Sequence, residues 1–319
     1  MPNSELEMKI NRIVKNIEKV MIGKREVVEL SIIALLAQGH VLLEDVPGVG
    51  KTMMVRSLAK SIGATFRRIQ FTPDLLPSDI TGVSIYNPKE MEFQFVPGPI
   101  LGNIILADEI NRTSPKTQSA LLEAMEESSI TIDGVTHSLK SPFFVMATQN
   151  PIEYEGTYPL PEAQLDRFLL KMKMGYPTMA EEMEVLTRVQ IQAPIENLNS
   201  VVSIEELVVL QNKVKQVYVD ETIKKYIVEL VMGTRAHHHV YLGASPRGSI
   251  ALMRAAQSYA FIQGRDYVIP DDIQYLIKAV LAHRIIVKSE AKFEGISAED
   301  IIEDVVSQIS VPIQRLVNK

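Results

Sequence analysis

The sequence has no cysteine among its 319 residues. That absence excludes a disulfide framework, a thiolate metal site and a catalytic thiol. It suits a reducing compartment, so a cytoplasmic location is expected. Long apolar runs are also missing: the first twenty residues, MPNSELEMKINRIVKNIEKV, mix charged and apolar residues at helical spacing. They hold neither the apolar core of a signal peptide nor a spanning segment, and no membrane segment is expected. Positive charge is not in excess, because 33 Lys and Arg stand against 39 Asp and Glu, a net charge of −6. That balance disfavours binding through counterion release, so no nucleic acid is expected as a main partner, although a basic rim on a pore would escape the argument. Repeats and low-complexity segments are absent, as is the Asn-Lys-x-Asp pattern that would read a guanine base.

What is present is an ordinary globular composition, 46% hydrophobic, in a chain long enough for two domains. In the first half, strand-length apolar runs alternate with helical or loop-like stretches. VLLE (41–44), TFRRIQF (65–71), NIILADE (103–109), FFVMATQN (143–150) and FLLKMKM (168–174) predict a mostly parallel sheet covered by helices. Such a sheet places functional loops at the C-terminal ends of its strands. Ser114 before Pro115 predicts an N-cap opening the helix PKTQSALLEAMEES, and the Asp-Gly pair within 128–142 predicts a hairpin ahead of the fourth strand. After Pro177 the pattern turns almost wholly helical, with capping boxes at Thr178–Glu181 and Ser203–Glu206 and a Pro-Asp-Asp start at 270–272. The expected division is therefore 1–176, N-terminal helices and an α/β core, and 177–319, a smaller all-α domain.

The chemistry gathers on the strand ends. In VLLEDVPGVGKTMMVRSLAKSIG (41–63), Gly50, Lys51 and Thr52 complete the second half of a Walker A pattern, while Asp45 stands where its first glycine is expected. The phosphate-binding turn comprises Val46, Pro47, Gly48, Val49, Gly50, Lys51, Thr52 and Met53. Gly48 and Gly50 let backbone N–H groups turn inward around an anion, and the helix N-terminus adds its dipole. Lys51 would reach the β and γ phosphates, and Thr52 would offer a hydroxyl to Mg²⁺. NIILADEINR ends a strand in Asp108 and Glu109, one carboxylate for the Mg²⁺ shell and one to polarise a water. Asn150 closes a further apolar strand, where an amide could meet the γ-phosphate or the water. Arg167 in PLPEAQLDRF and Arg247 in GASPRGSIALMRAA, taken singly, read as surface or salt-bridged residues.

Taken in order, these signals resemble the AAA+ ATPases and, more narrowly, the MoxR family. The narrower resemblance rests on LLEDVPGVGKT, FTPDLLPSDITG (71–82), FVPGPILGNIILADEINR, ATQNP, EGTYPLPEAQLDRF and ASPRG. It implies a parallel-sheet P-loop core followed by a helical lid, ATP and Mg²⁺ as ligands, and a ring, often a homo-hexamer. It further implies Walker A at Gly48, Gly50, Lys51 and Thr52, Walker B at Asp108 and Glu109, and a γ-phosphate sensor at Asn150. Arg167 would be the finger that reaches a neighbouring subunit's nucleotide, and Arg247 the lid sensor that closes on its own subunit's phosphates. Residues 78–101 would be the insertion that marks the clade, and Asp45 a relaxed position in the loop. The implied activity is ATP hydrolysis driving a chaperone-like remodeller or assembly factor, whose partners in such families often contain von Willebrand factor A domains. The alternatives are a motor subunit of a metal-chelatase-like complex and a non-hydrolysing nucleotide-dependent scaffold, the latter opposed by Glu109 and Arg167. The run His237-His238-His239 is not read as a metal site, the fourteen methionines are read as core filler, and Glu126 with Glu127 as a solvated helix end.

Overall fold

The computed structural model describes residues 2–150, 157–191 and 194–312. Two helices, α1 (Pro2–Glu18) and α2 (Arg25–Leu36), precede β1 (Val41–Glu44) and the glycine turn, which feeds α3 (Lys51–Ser61). After β2 (Phe66–Gln70) and the short α4 (Pro77–Thr81) comes a hairpin, β3 (Gly82–Asn87) with β4 (Glu92–Pro97). Then follow β5 (Ile104–Asp108), α5 (Pro115–Glu127) and a second hairpin of β6 (Ser129–Ile132) and β7 (Val135–Ser138). β8 (Phe144–Gln149), the single turn α6 (Glu162–Leu165) and β9 (Leu170–Met172) complete the α/β half.

All five expected runs form one parallel sheet in the order β2-β5-β8-β1-β9. Alternation of side chains explains how the sheet is covered. Val41, Leu43, Ile104, Leu106, Phe144 and Met146 face one layer, which holds α1, α2 and α3. Leu42, Ile105, Ala107, Val145 and Ala147 face the other, with Ile80, Leu121 and Leu122 of α4 and α5. The register pairs Glu44 with Gln149 and Gln70 with Asp108. The turns after β1, β5 and β8 therefore leave the sheet along one edge. The Asp-Gly turn is a hairpin as expected, Asp133 and Gly134 both having positive φ (50° and 78°). Ser114 does precede α5, but its hydroxyl meets that of Thr117 at 3.3 Å instead of capping a backbone N–H.

Beyond Gly175 the chain is nearly all helix: α7 (Met179–Ile191), α8 (Ile204–Val214), α9 (Glu221–Ala236), α10 (Pro246–Ile262), α11 (Pro270–Leu281), α12 (Ser289–Phe293) and α13 (Ala298–Gln308). The expected all-α lid also holds a two-stranded antiparallel ribbon, β10 (Val240–Leu242) with β11 (Ile286–Val287), too short to register as a period-2 pattern. Both expected capping boxes form: Ser203 and Glu206 exchange hydrogen bonds at 2.9 and 3.2 Å, and Thr178 and Glu181 at 2.7 and 3.4 Å. The helical region shares its core with the α/β half, because Leu207, Leu210, Leu252, Ala255 and Ala256 join the same apolar cluster as the sheet face beneath α1 and α2. Helix α2, with Val27, Val28 and Leu30 through Leu36 all buried, is the shared wall.

Candidate nucleotide site

The glycine turn takes the shape its sequence requires. Gly48 and Gly50 sit at φ 88° and 94°, a left-handed region costly for any residue with a Cβ, and Gly50 delivers the chain into the first turn of α3. At Gly48 a Cβ would meet nothing, so the requirement there is backbone conformation, with open space in front of the loop. Lys51 is buried and donates from Nζ to the main-chain carbonyl of Asp45 at 3.0 Å, folded back over its own loop. Val46, Pro47 and Val49 fill the turn, and Thr52 and Met53 fall in the first turn of α3. Around Gly50 stand the methyl groups of Met21 and Met174, within 4 Å of where its Cβ would be.

Asp45 has a task that the loop pattern alone did not disclose. Its buried carboxylate accepts the backbone N–H groups of Met174 and of Gly175, the latter at 3.0 Å. The residue replacing the first Walker glycine thus ties the phosphate loop to the segment between β9 and α7. Its own N–H donates to Gln149 O at 3.2 Å, joining the loop to the end of β8 as well.

On the adjacent strand end, the Asp108 carboxylate accepts from Thr148 Oγ1 at 2.7 Å and from Arg68 Nη2 at 2.6 Å. Glu109 is held in a left-handed backbone conformation, φ 61° and ψ 49°, uncommon for a residue with a side chain. Its N–H donates to the same Thr148 hydroxyl at 2.9 Å, and its Oε2 lies 2.7 Å from Gln70 Nε2 and 3.3 Å from Arg112 Nη1. Thr148 therefore braces both acids from the neighbouring strand. Asn150, the residue after β8, is buried beside them, and its carbonyl accepts from Asn111 Nδ2 at 3.5 Å. Pro151, Glu155 and Gly156 of the matching blocks lie outside the described residues. Arg68, Gln70 and Thr148 escaped the motif reading, and Asp45 was marked only by its place in the loop. Of the three, Thr148 left a trace, a hydroxyl two residues before Asn150 in a strand otherwise apolar over 143–147.

The two expected arginines are not at this edge. Arg167, after α6, reaches Glu126 at the end of α5 with Nη2 3.0 Å from Oε2, and Arg247, in the first turn of α10, takes Oε1 of the same carboxylate at 2.5 Å. Both line a cavity of about 560 Å³ whose wall includes Gly39 and His40 before β1 and Phe143 before β8. They therefore lie at the N-terminal edge of the sheet, the end of β1 opposite the phosphate loop. Arg247, expected to close on its own subunit's phosphates, stands here beside Arg167 and Glu126: α10 packs against α2, which places its first turn at the N-terminal end of the sheet. Glu126 is exposed at the end of α5, as expected of a solvated helix end, and its carboxylate is in addition shared between the two arginines. Asp166, beside Arg167, pairs instead with Arg284 Nε at 2.7 Å and accepts from Ser245 Oγ at 2.9 Å. Burial pushes the His40 imidazole down to about 4, against a partly opposing hydrogen bond to Met125 O. Its Nδ1 accepts from Val145 N at 3.0 Å, which also requires a neutral ring.

Residues 40–170 match the family described as "ATPase family associated with various cellular activities (AAA)", and residues 232–305 match "AAA lid domain". A Bacillus subtilis relative, "Uncharacterized protein YeaC", is 65% identical over 98% of this chain and 97% of its own length. "Chaperone MoxR1" of Mycobacterium tuberculosis is 44% identical over 95% of this chain and 82% of that protein. The chain belongs to the MoxR family of AAA+ ATPases. "Protein MoxR" of Methylorubrum extorquens is 29% identical over 94% of each chain. The crystal structure of an ATPase candidate from Cytophaga hutchinsonii superposes with a TM-score of 0.92 at 42% identity, covering 98% of this chain and 97% of that one. The MoxR-family core and lid thus account for both halves of the fold. Among the described residues, no helix is long and apolar enough to cross a membrane.

Proposed function

We propose that this MoxR-family protein hydrolyses ATP at the Asp108–Glu109 strand end, in a homo-hexameric ring that remodels or assembles a client protein. The observation that carries the reading is the division of the site between two edges of one sheet. Lys51, Asp108, Glu109 and Asn150 share the C-terminal edge, whereas Arg167 and Arg247 share the opposite one. Within this chain the two sets stand at opposite ends of the sheet, and a second copy would bring them together at one phosphoryl group.

In this reading the loop N–H groups from Val46 to Lys51 take the phosphate oxygens, and Lys51 exchanges the Asp45 carbonyl for the β and γ phosphates. Glu109, oriented by Gln70, accepts a proton from water as the water oxygen bonds to the γ-phosphorus. The bridging P–O bond breaks, and ADP and phosphate leave. Thr52 and Asp108, a hydroxyl and a carboxylate, are the hard oxygen donors that would hold Mg²⁺, which when bound offsets phosphate charge. Asn150 would orient the water. Arg167 and Arg247, supplied by the neighbouring copy, would stabilise charge on the transferring group. The name of the mycobacterial relative supports a protein client, and a von Willebrand factor A domain is the partner class the family resemblance favours.

The test is complementation between defective subunits. Arg167→Ala subunits should bind ATP normally and hydrolyse it about 10³-fold more slowly, the lower end of what an arginine finger contributes. Lys51→Ala subunits should fail to bind it. Mixed at fixed total protein, the two should regain activity, because an interface pairing a sound phosphate loop with a sound Arg167 then exists. A straight line between the two end-points, with co-assembly demonstrated, would overturn the reading.

A further inference from the structure

The cavity at the N-terminal edge carries more positive charge than its own acids neutralise. Its wall holds four guanidiniums, Arg167, Arg247, Arg254 and Arg284, against the two carboxylates of Glu126 and Asp166. Asp166 is taken up by Arg284 and Ser245, and Glu126 is divided between Arg167 and Arg247. Arg254 is exposed and its side chain makes no ion pair or hydrogen bond among the described residues. It follows Arg247 by seven residues on α10, with Ile250 and Ala251 between them on the same cavity wall, so the helix period sets the two arginines on one face roughly 10 Å apart along its axis. A row of cations in a concave wall is matched by an extended polyanion. The carboxylate of Glu126, clasped by two arginines, shows that the wall already takes an anion, one belonging to the chain itself.

We infer that Arg254 is a third phosphate-binding arginine acting between subunits, reaching the polyphosphate of the nucleotide on the neighbouring copy's loop while Arg167 and Arg247 exchange Glu126 for that same polyphosphate. The inference rests on the proposal that this edge meets the next copy's phosphate loop. It adds a residue no sequence motif marks.

Because Arg254 is exposed, Arg254→Ala should fold with unaltered thermal stability and bind ATP in the isolated subunit with parental affinity. In the assembled protein its turnover should fall about 10-fold, and Arg254→Lys, which keeps the charge, should recover part of the loss. Mixed with Lys51→Ala subunits, Arg254→Ala should give rates above the straight line between the end-points. Parental KM and kcat in Arg254→Ala would overturn the inference. So would a straight mixing line for Arg254→Ala when the Arg167→Ala mixture is rescued, an outcome that leaves the proposed function standing. If neither mixture is rescued, action between subunits falls and Arg254 falls with it. Inorganic tripolyphosphate, titrated calorimetrically into Lys51→Ala subunits, separates the neighbour's nucleotide from a free polyphosphate. Only millimolar or weaker binding is expected, and micromolar binding abolished by adding Arg254→Ala would assign the cavity to the free anion instead.

Discussion

A glutamate with φ 61° and ψ 49° holds a conformation costing on the order of 1 to 3 kcal/mol, maintained because its N–H is fixed by Thr148 and its carboxylate by Gln70. The strain suits the proposed role, in which the carboxylate points out of the strand end toward a reacting water. Glu109→Gln keeps that shape and removes the base, so ATP should remain bound while turnover falls by roughly 10² or more. Steady-state hydrolysis equal to the parent's would place the base elsewhere. Asp45 is a different case, a residue whose value is structural. Removing its carboxylate leaves two N–H groups, those of Met174 and Gly175, without their acceptor, so Asp45→Ala should lower unfolding free energy by about 2 to 4 kcal/mol in urea titration. Asp45→Asn, which keeps one oxygen, should lose less. Equal stability in all three proteins would show that the tie carries no energy.

At the scale of elements, the joint between core and helical region is polar where it meets the cavity. Arg284, in the short 3-10 turn after α11, is almost fully buried, bonds to Asp166 at 2.7 Å and donates to Phe168 O at 2.6 Å. Burial lowers its guanidinium pKa, and the Asp166 carboxylate works against that shift. Breaking a buried pair from one side strands the other charge, so Arg284→Met should destabilise the fold by about 3 to 5 kcal/mol. The double variant Arg284→Met with Asp166→Leu should recover much of that loss. A double-mutant cycle with no coupling between the sites would count against the joint. The hairpin of β3 and β4 is an element of another kind: Ile85, Tyr86, Met91 and Phe93 are all exposed on it, which makes it more apolar than a solvated surface requires.

For the whole molecule, acid should be the destabilising direction, and His40 is one identifiable reason. In the unfolded chain its imidazole takes up a proton near 6.5, whereas in the fold it resists until about 4. Between those values the unfolded state binds the extra proton, so stability declines as pH falls through the window and is unaffected by this group above it. The span corresponds to about 3 kcal/mol. His40→Gln should flatten that limb of the stability–pH curve while costing stability at pH 7, since the contacts to Met125 O and Val145 N are disturbed. An unchanged slope would remove His40 from the account. The proposed assembly is tested at the same scale. With Arg247 at the edge opposite the phosphate loop, Arg247→Ala should leave ATP affinity of the isolated subunit unaltered and weaken ATP-dependent assembly in sedimentation. Loss of affinity in the isolated subunit would return Arg247 to its own nucleotide.

What was legible in the sequence shares one physical property: it is local. The turn from Val46 to Thr52, the acids closing NIILADE, the Asp-Gly hairpin and the capping boxes are each decided by backbone preferences and hydrogen bonds within a few residues, so their order along the chain announces them. The parallel sheet is legible too, because strands buried on both faces must be continuous apolar runs. Partner choice across long separations is another matter. Glu126 lies 121 residues before Arg247 and still takes it, and Asp45 finds Met174 at a separation of 129. Arg68 and Thr148 both converge on Asp108 from strands 40 residues away on either side. Strand order and the packing of α10 on α2 select those partners, and no local preference encodes either. The tertiary structure decided that the phosphate loop and the paired arginines stand at opposite ends of one sheet, because α10 packs on α2 and the Glu126 carboxylate at the end of α5 takes both guanidiniums there.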